Sequence, residues 1–333
     1  MQVFRAVFWN FSFQFSFMIR IGIDMMGGDF APLEAVKGAA AYLESDRSDV
    51  MLQLIGDEAQ IKPLLSQFSI PLERVEMIHC SQSIGMHEHP TKALKEKTDS
   101  SISKGFALLA KGESDAFISA GNTGAMLVGA LYSIKTIPGV LRPTIGAYMP
   151  RENGTLGLLV DVGLNADCKA ENLNQFATLG SLFSEHILNT PSPKVGLVNI
   201  GEEEGKGNIL AQAAYPLLKE NNAIHFTGNV EGRDILLDKA DVLVCDGFTG
   251  NVVLKLAESI YDLVKRRNIH DEHFDRFNFE AYGGVPVLGV AKPVIIGHGI
   301  SSATAFKNMV AIALRMHDTN LTGKIAAAFA NPA

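Results

Sequence analysis

Val244-Cys245-Asp246-Gly247-Phe248-Thr249-Gly250-Asn251-Val252-Val253-Leu254-Lys255 is the stretch from which the rest of the chain can be read. The apolar run Val242 to Cys245 has the length and composition of a short buried strand. It stops at Asp246-Gly247, passes through small residues and becomes an apolar segment with helical period. A strand, a Gly/Thr/Asn turn and a helix together aim backbone N–H groups and a helix N-terminus at an anion. Asp246 stands at the carboxyl end of the strand, where open α/β sheets bind their ligands. An ordinary tight turn between strand and helix would look the same. The weight of the reading comes from the pattern's recurrence, four more times along the chain.

Ile19 to Asp24 is a strand opening into Met25-Met26-Gly27-Gly28-Asp29-Phe30-Ala31-Pro32, a glycine turn whose proline suits a helix start. Ala116 to Ser119 runs into Ala120-Gly121-Asn122-Thr123-Gly124-Ala125, with an apolar helix from Met126 to Ile134 behind it. Leu156 to Val162 is apolar enough for a central strand. It closes in Asp161-Val162-Gly163-Leu164-Asn165-Ala166-Asp167-Cys168-Lys169-Ala170-Glu171, where Lys169 can meet negative charge. His225-Phe226 leads to Gly228-Asn229-Val230-Glu231-Gly232-Arg233-Asp234, and Arg233 can grip a phosphate with two parallel hydrogen bonds. Tyr282 to Gly289 reads as a Gly-rich turn and Pro293 to Ile296 as a strand. Gly297-His298-Gly299-Ile300-Ser301-Ser302 then feeds the last long helix. This unbroken rhythm predicts an α/β/α sandwich with a mostly parallel sheet, with residues 18–333 as one domain.

Composition narrows the function. With 333 residues and 47% hydrophobic content the chain can bury a large core. A net charge of −7 argues against a nucleic-acid binder, which needs a basic face. Cys80, Cys168 and Cys245 lack metal or redox spacing and read as small buried hydrophobes of a reducing cytoplasm. His87 and His89 have no further ligand nearby, so neither a metal nor a cofactor is expected. Residues 1–17 hold Phe4, Phe8, Trp9, Phe11, Phe13, Phe15 and Phe17, without the core and cleavage site of a signal peptide and too polar to span a bilayer. Met18 reads as the true start, and residues 1–17 are set aside; an aromatic tail touching the membrane is the alternative.

No GxGxxG follows a strand, no GxxxxGK[ST] appears, and there is no G-x-S-x-G elbow. What remains is a site of backbone N–H groups, Asn, Thr, Lys and Arg without a nucleophile. Such a site positions a phosphate and stabilises charge.

The motifs Asp24-Met25-Met26-Gly27-Gly28-Asp29 with Ala31-Pro32, Ser119 to Ala125, Asp161-Val162-Gly163 with Asn165 and Lys169, Gly228 to Glu231 with Arg233-Asp234, Asp246 to Asn251 and Tyr282-Gly283-Gly284 occur in this order. Together they resemble the bacterial phosphate acyltransferase family of phospholipid synthesis (PlsX type), from Met18 to about Leu314. The resemblance implies a Rossmann-like α/β/α sandwich related to isocitrate and isopropylmalate dehydrogenases and to phosphotransacetylases, working as a homodimer. It implies transfer of an acyl group from acyl-[acyl carrier protein] to inorganic phosphate, with a glycerol-3-phosphate acyltransferase downstream.

On that resemblance Asn122, Thr123, Thr249 and Asn251 are expected to bind phosphate or the oxyanion. Lys169 and Arg233 would neutralise charge, and Asp161, Asp246 and Glu231 would hold these cations or orient phosphate. Asp24, Gly27, Gly28, Gly124, Asn165, Gly250 and Lys255 would complete the substrate site. Asn229 and His298 join the catalytic set, His298 as proton donor to the leaving sulfur, with a structural role as its alternative. Lys92, Lys95 and Lys97 are candidates for docking the acidic carrier. A phosphotransacetylase acting on acyl-coenzyme A and a non-catalytic phosphate-binding module are the rival readings. The family's membrane-docking helical hairpin has only the short segment 256–281 as counterpart. A cytoplasmic protein is therefore expected, with weak or no contact with the inner face of the membrane.

Overall fold

The computed structural model describes residues 18–45 and 47–330, so the expectations for residues 1–17 lie outside the described residues. The strands, in chain order, are β1 (Ile19–Asp24), β2 (Val50–Gly56), β3 (Val75–His79), β4 (Ala116–Ser119), β5 (Thr144–Pro150), β6 (Leu156–Val160), β7 (Lys194–Asn199), β8 (His225–Glu231), β9 (Val242–Val244), β10 (Val285–Leu288) and β11 (Val294–Ile296). The helices are α1 (Leu33–Leu43), α2 (Glu58–Gln67), α3 (Pro90–Glu96), α4 (Ser101–Lys111), α5 (Thr123–Gly129), α6 (Ala170–His186), α7 (Ile209–Glu220), α8 (Gly247–Arg266), α9 (Glu272–Asp275), α10 (Ala303–Asp318) and α11 (Leu321–Ala330).

All eleven strands form one sheet, ordered β3-β2-β1-β4-β11-β10-β5-β6-β9-β7-β8. The block β3-β2-β1-β4-β11 is parallel, and so is the block β6-β9-β7-β8. Between them the contacts β11–β10, β10–β5 and β5–β6 are antiparallel. Three reversals leave the two blocks pointing in opposite directions. Their carboxyl ends, where ligands bind in such sheets, therefore lie at opposite ends of the molecule.

Strand alternation sorts the core into two layers. Ile21, Ile23, Ile118, Leu158 and Val160 face one side, against α1, α6 and α10. Phe117, Ala147, Met149 and Leu159 face the other, with Phe106 of α4 and Met126 of α5. Capping residues fix the helix starts: Ser100 accepts from Ser103 N, Asn208 from Ala211 N, and Asp246 from Thr249 N. Gly112 ends α4 in the left-handed conformation.

Two segments differ from their sequence reading. Tyr282 to Gly289, expected as a turn, contains β10, which sits mid-sheet between β11 and β5. Its proline and flanking glycines mask a strand that is specified by neighbours on both sides. Gly228 to Glu231, expected as a turn opening a helix, instead continues β8 at the sheet edge. Edge exposure accommodates polar Thr227, while buried Asn229 is hydrogen-bonded to Asn199 and to the Glu203 carbonyl.

Candidate functional site

At the carboxyl ends of β1, β4 and β11, Asp24 is fully buried. It accepts from Ser119 Oγ at 2.6 Å and from Met26 N at 3.0 Å, and burial holds its carboxyl above the usual range. Asp24 therefore binds the β1 turn to the β4 turn. A side chain at Gly27 would collide with the Asp24 carboxylate. Gly28 has φ +100° and lies against the Gly299 carbonyl, which accepts from Asp29 N at 2.7 Å. The β1 and β11 turns are thus laced together.

Asn122, expected to hold phosphate, is committed elsewhere. Its Oδ1 caps α5 at Ala125 N, and its Nδ2 donates to the carbonyls of Gly85, Met86 and Glu88. Thr123 is exposed on the first turn of α5, and Gly124 packs under Pro90.

His298 lies just past the end of β11. Its Nε2 lies 3.4 Å from Glu258 Oε1, and Glu258 Oε2 accepts from Lys255 Nζ at 2.7 Å. Burial pulls the imidazole below its usual pKa; the Glu258 carboxylate opposes this and Lys255 adds to it. A neutral imidazole able to take and return a proton at neutral pH is the consequence. A polar cleft of about 320 Å³, lined by Asp29, Lys255, Glu258, Asp262 and His298 among others, opens beside it.

The opposite end gathers the remaining candidates. Asp161 is buried and accepts from Asn165 N (2.6 Å), Asn165 Nδ2 (2.8 Å), Leu164 N (3.2 Å) and Ile145 N (3.3 Å). It holds its own loop and, among the described residues, meets no cation. Asn165 donates onward to the Pro143 carbonyl. Asp246 likewise holds no cation among the described residues; it caps α8 and accepts from Thr249 Oγ1 at 2.9 Å. Gly250 lies so close to the Asp161 carbonyl that any side chain would overlap it, which seats α8 on the β6 turn. Asn229 accepts from Asn199 Nδ2 and donates to the Glu203 carbonyl, also as a loop anchor.

Lys169 is exposed at the start of α6, and its side chain caps no backbone group by hydrogen bond. Among the described residues no ion pair engages it. A free cation at the N-terminus of a 17-residue helix is suited to an anion. Asn251 is exposed one turn into α8. Arg233 is exposed and paired with Glu231. Glu202, Glu231 and Asp234 also converge, with Lys239 bridging Glu202 and Asp234.

The sequence reading assembled one site; the structure divides it between the two ends of the sheet. The link is α8, whose 20 residues extend about 30 Å, from Asp246 at one end past Glu258 at the other. Glu258, Asp29 and the turn around Gly299 are the groups that sequence reasoning missed. Only the i,i+3 spacing of Lys255 and Glu258 hinted at the first. Cys80 and Cys245 are buried as expected, whereas Cys168 is only half-buried; burial pushes the Cys80 and Cys168 thiols up to about 11 and the Cys245 thiol well above its usual value.

The family model described as "Fatty acid synthesis protein" matches residues 19–276. The chain is 44% identical over 327 residues to the phosphate acyltransferase of Halothermothrix orenii, covering 92% of this chain and 97% of that protein. The chain belongs to the phosphate acyltransferase family. The phosphate acyltransferase of Aquifex aeolicus is 42% identical over 328 residues, with 92% and 96% covered. Among solved structures, a phosphotransacetylase from Streptococcus pyogenes superposes with a TM-score of 0.63 at 17% identity, covering 90% of this chain and 94% of the other. The EutD phosphotransacetylase from Staphylococcus aureus gives 0.61 at 17% identity, with the same coverage. These two share the fold, an α/β sheet with flanking helices.

Proposed function

We propose that the chain transfers a fatty acyl group from acyl-[acyl carrier protein] to inorganic phosphate, releasing acyl phosphate and free carrier thiol. The observation that carries this reading is the 44% identity spanning nearly all of a phosphate acyltransferase. A phosphate oxygen attacks the thioester carbonyl, a C–O bond forms, and the C–S bond breaks as the oxyanion collapses. Neutral His298 takes the phosphate proton and returns it to the departing sulfur, with Glu258 stabilising the imidazolium in between. Lys169, with the N-terminus of α6, holds the phosphate, and Lys255 offsets charge near the carbonyl.

One chain keeps Lys169 and His298 at opposite ends, so the reaction calls for two copies. Phe248, Val252, Leu256 and Leu263 form an exposed apolar stripe along α8. Pairing such stripes about a two-fold axis perpendicular to α8 sets the helices antiparallel. The Asp246 end of one protomer then lies beside the Glu258 end of its partner, which brings Lys169 from one copy toward His298 from the other. Exposed Lys92 and Lys95 on α3 offer a basic face for the acidic carrier, while Lys97 is tied to Glu88 at 2.5 Å.

No helix of the described residues is long and apolar enough to cross a membrane. Phe277 is buried and packs with Phe274 and His273, which favours a cytoplasmic enzyme over a membrane-docked one. A downstream acyltransferase that accepts acyl phosphate would consume the product.

The test is phosphate-dependent release of carrier thiol from hexadecanoyl-[acyl carrier protein], with hexadecanoyl-coenzyme A in parallel. Release that needs phosphate and favours the carrier supports the reading. Release without phosphate makes the protein a thioesterase. Preference for coenzyme A makes it a phosphotransacetylase, the second reading.

A further inference from the structure

On the sheet face opposite α10, three helical segments meet without closing over one another. They are α3, α4, and α5 with the turn Ala130–Ile134 that continues it. Between them runs an open groove of about 470 Å³. Leu94, Phe106, Ala107 and Val128 make its walls largely apolar. Tyr132 stands at its edge with 76% of its surface exposed, an unusual place for a large ring that has no partner to cover.

The border of the groove is cationic. Among the described residues that line it, Lys95 is charged and none is acidic. Lys92 shares the exposed face of α3 with Lys95, and Lys111 follows Ala107 by one turn of α4. Among the described residues no ion pair engages these three lysines, whereas Lys104 is paired with Asp99. Glu96 is the one acid in the three segments, in a chain whose net charge is −7.

The groove is also fixed to the end of the sheet that carries His298. Pro90, at the start of α3, packs on Gly124, and Asn122 fastens the loop before it through the Gly85, Met86 and Glu88 carbonyls. Met86 in turn lies against Gly299, next to His298. Val128 to Tyr132 are roughly 8–13 Å along the helix from Thr123, which opens at that end.

We infer that this groove docks an acidic helical segment of the carrier protein. The segment lays its apolar ridge against Leu94, Phe106 and Tyr132 and sets its carboxylates at Lys92, Lys95 and Lys111. The inference rests on the acyltransferase reading and adds to it the surface that holds the carrier while its thioester arm reaches His298. A flat bilayer does not enter a concave groove, and the hydroxyls of Thr91, Thr98, Ser103 and Ser133 suit the polar rim of a protein interface.

The test measures binding of carrier protein that lacks its prosthetic arm, which reads docking without the active site. Tyr132→Ala and the double variant Lys92→Glu, Lys95→Glu are compared with wild type. Lys307→Glu, at an exposed lysine of α10, is the control. Each groove variant should raise Kd at least about tenfold, and the control less than about twofold. In phosphate-dependent thiol release, the KM for hexadecanoyl-[acyl carrier protein] should rise with Kd while kcat is kept. Wild type that does not bind the armless carrier, groove variants that bind it as wild type does, or a loss confined to kcat overturns the groove assignment and leaves the transferase standing. So does an equal loss in the control, which makes the effect one of overall charge. Wild type that releases no thiol with phosphate overturns the underlying reading instead.

Discussion

Asp24 and Asp161 occupy equivalent places at the two ends of the sheet: each is a carboxylate sunk at the close of a strand, holding a turn together. Around them the ends diverge. Beside Asp24 the β11 turn presents His298 to Glu258 of α8, next to a polar cleft. Beside Asp161 the loop carries Lys169 to a helix N-terminus and leaves its charge uncompensated. On the proposed mechanism one end moves a proton and the other holds an anion. The same turn design therefore supports complementary chemistry according to what the next few residues add. The recurring Gly, Asn and Asp residues serve mainly as scaffold.

The sharpest way to break this comparison is to remove the proton-transfer group. His298→Gln should lower kcat by about 100- to 1,000-fold without changing the melting temperature; stopped-time thiol-release assays and a thermal melt check both halves of that statement. At the other end, Lys169→Ala should cost about 10- to 100-fold, chiefly as a higher KM for phosphate, because one charge-assisted contact is lost. A loss confined to kcat would argue that Lys169 acts in chemistry rather than binding.

Scaffold residues should behave differently. Asp161→Ala leaves the N–H groups of Leu164, Asn165 and Ile145 unpaired. It should lower stability by about 2–4 kcal/mol, measured by urea unfolding. The smallest effect concerns pH. Burial depresses the His298 pKa and Glu258 raises it, so wild-type activity should persist as pH falls below the ordinary histidine range. It should be lost only when the imidazole protonates. Glu258→Gln removes the upward pull, so the acid limb of the kcat/KM profile should move to lower pH. Movement to higher pH would contradict the assigned coupling.

The sheet was legible because nearly every strand is a short apolar run ended by Gly, Asp or Asn, a signal local to each element. The reversal at β10 and β5 was not, since direction is set by pairing between residues far apart in sequence. That reversal is also why the motifs could be found and their grouping missed. Asp24 and Asp161 look alike in sequence, and nothing in their neighbours says that one strand runs against the other. The roles given to Asn122 and Asn229 failed to anticipate that their amides would be consumed by the carbonyls of loops 85–88 and 202–203. His298 was legible as a candidate. Its partner Glu258 lies on a helix forty positions away in the chain and needed the fold to be seen.

In the proposed dimer the two ends act on one substrate pair, with His298 from one copy and Lys169 from the other. The most direct measurement is phosphate-dependent thiol release by His298→Gln and Lys169→Ala chains, co-expressed in equal amounts. If the site is shared across the two-fold, half of the dimers are mixed and each mixed dimer carries one intact site. The mixture should then recover about a quarter of wild-type activity, well above the mean of the two parents. Activity no higher than that mean would contradict the shared site and return both residues to a single chain.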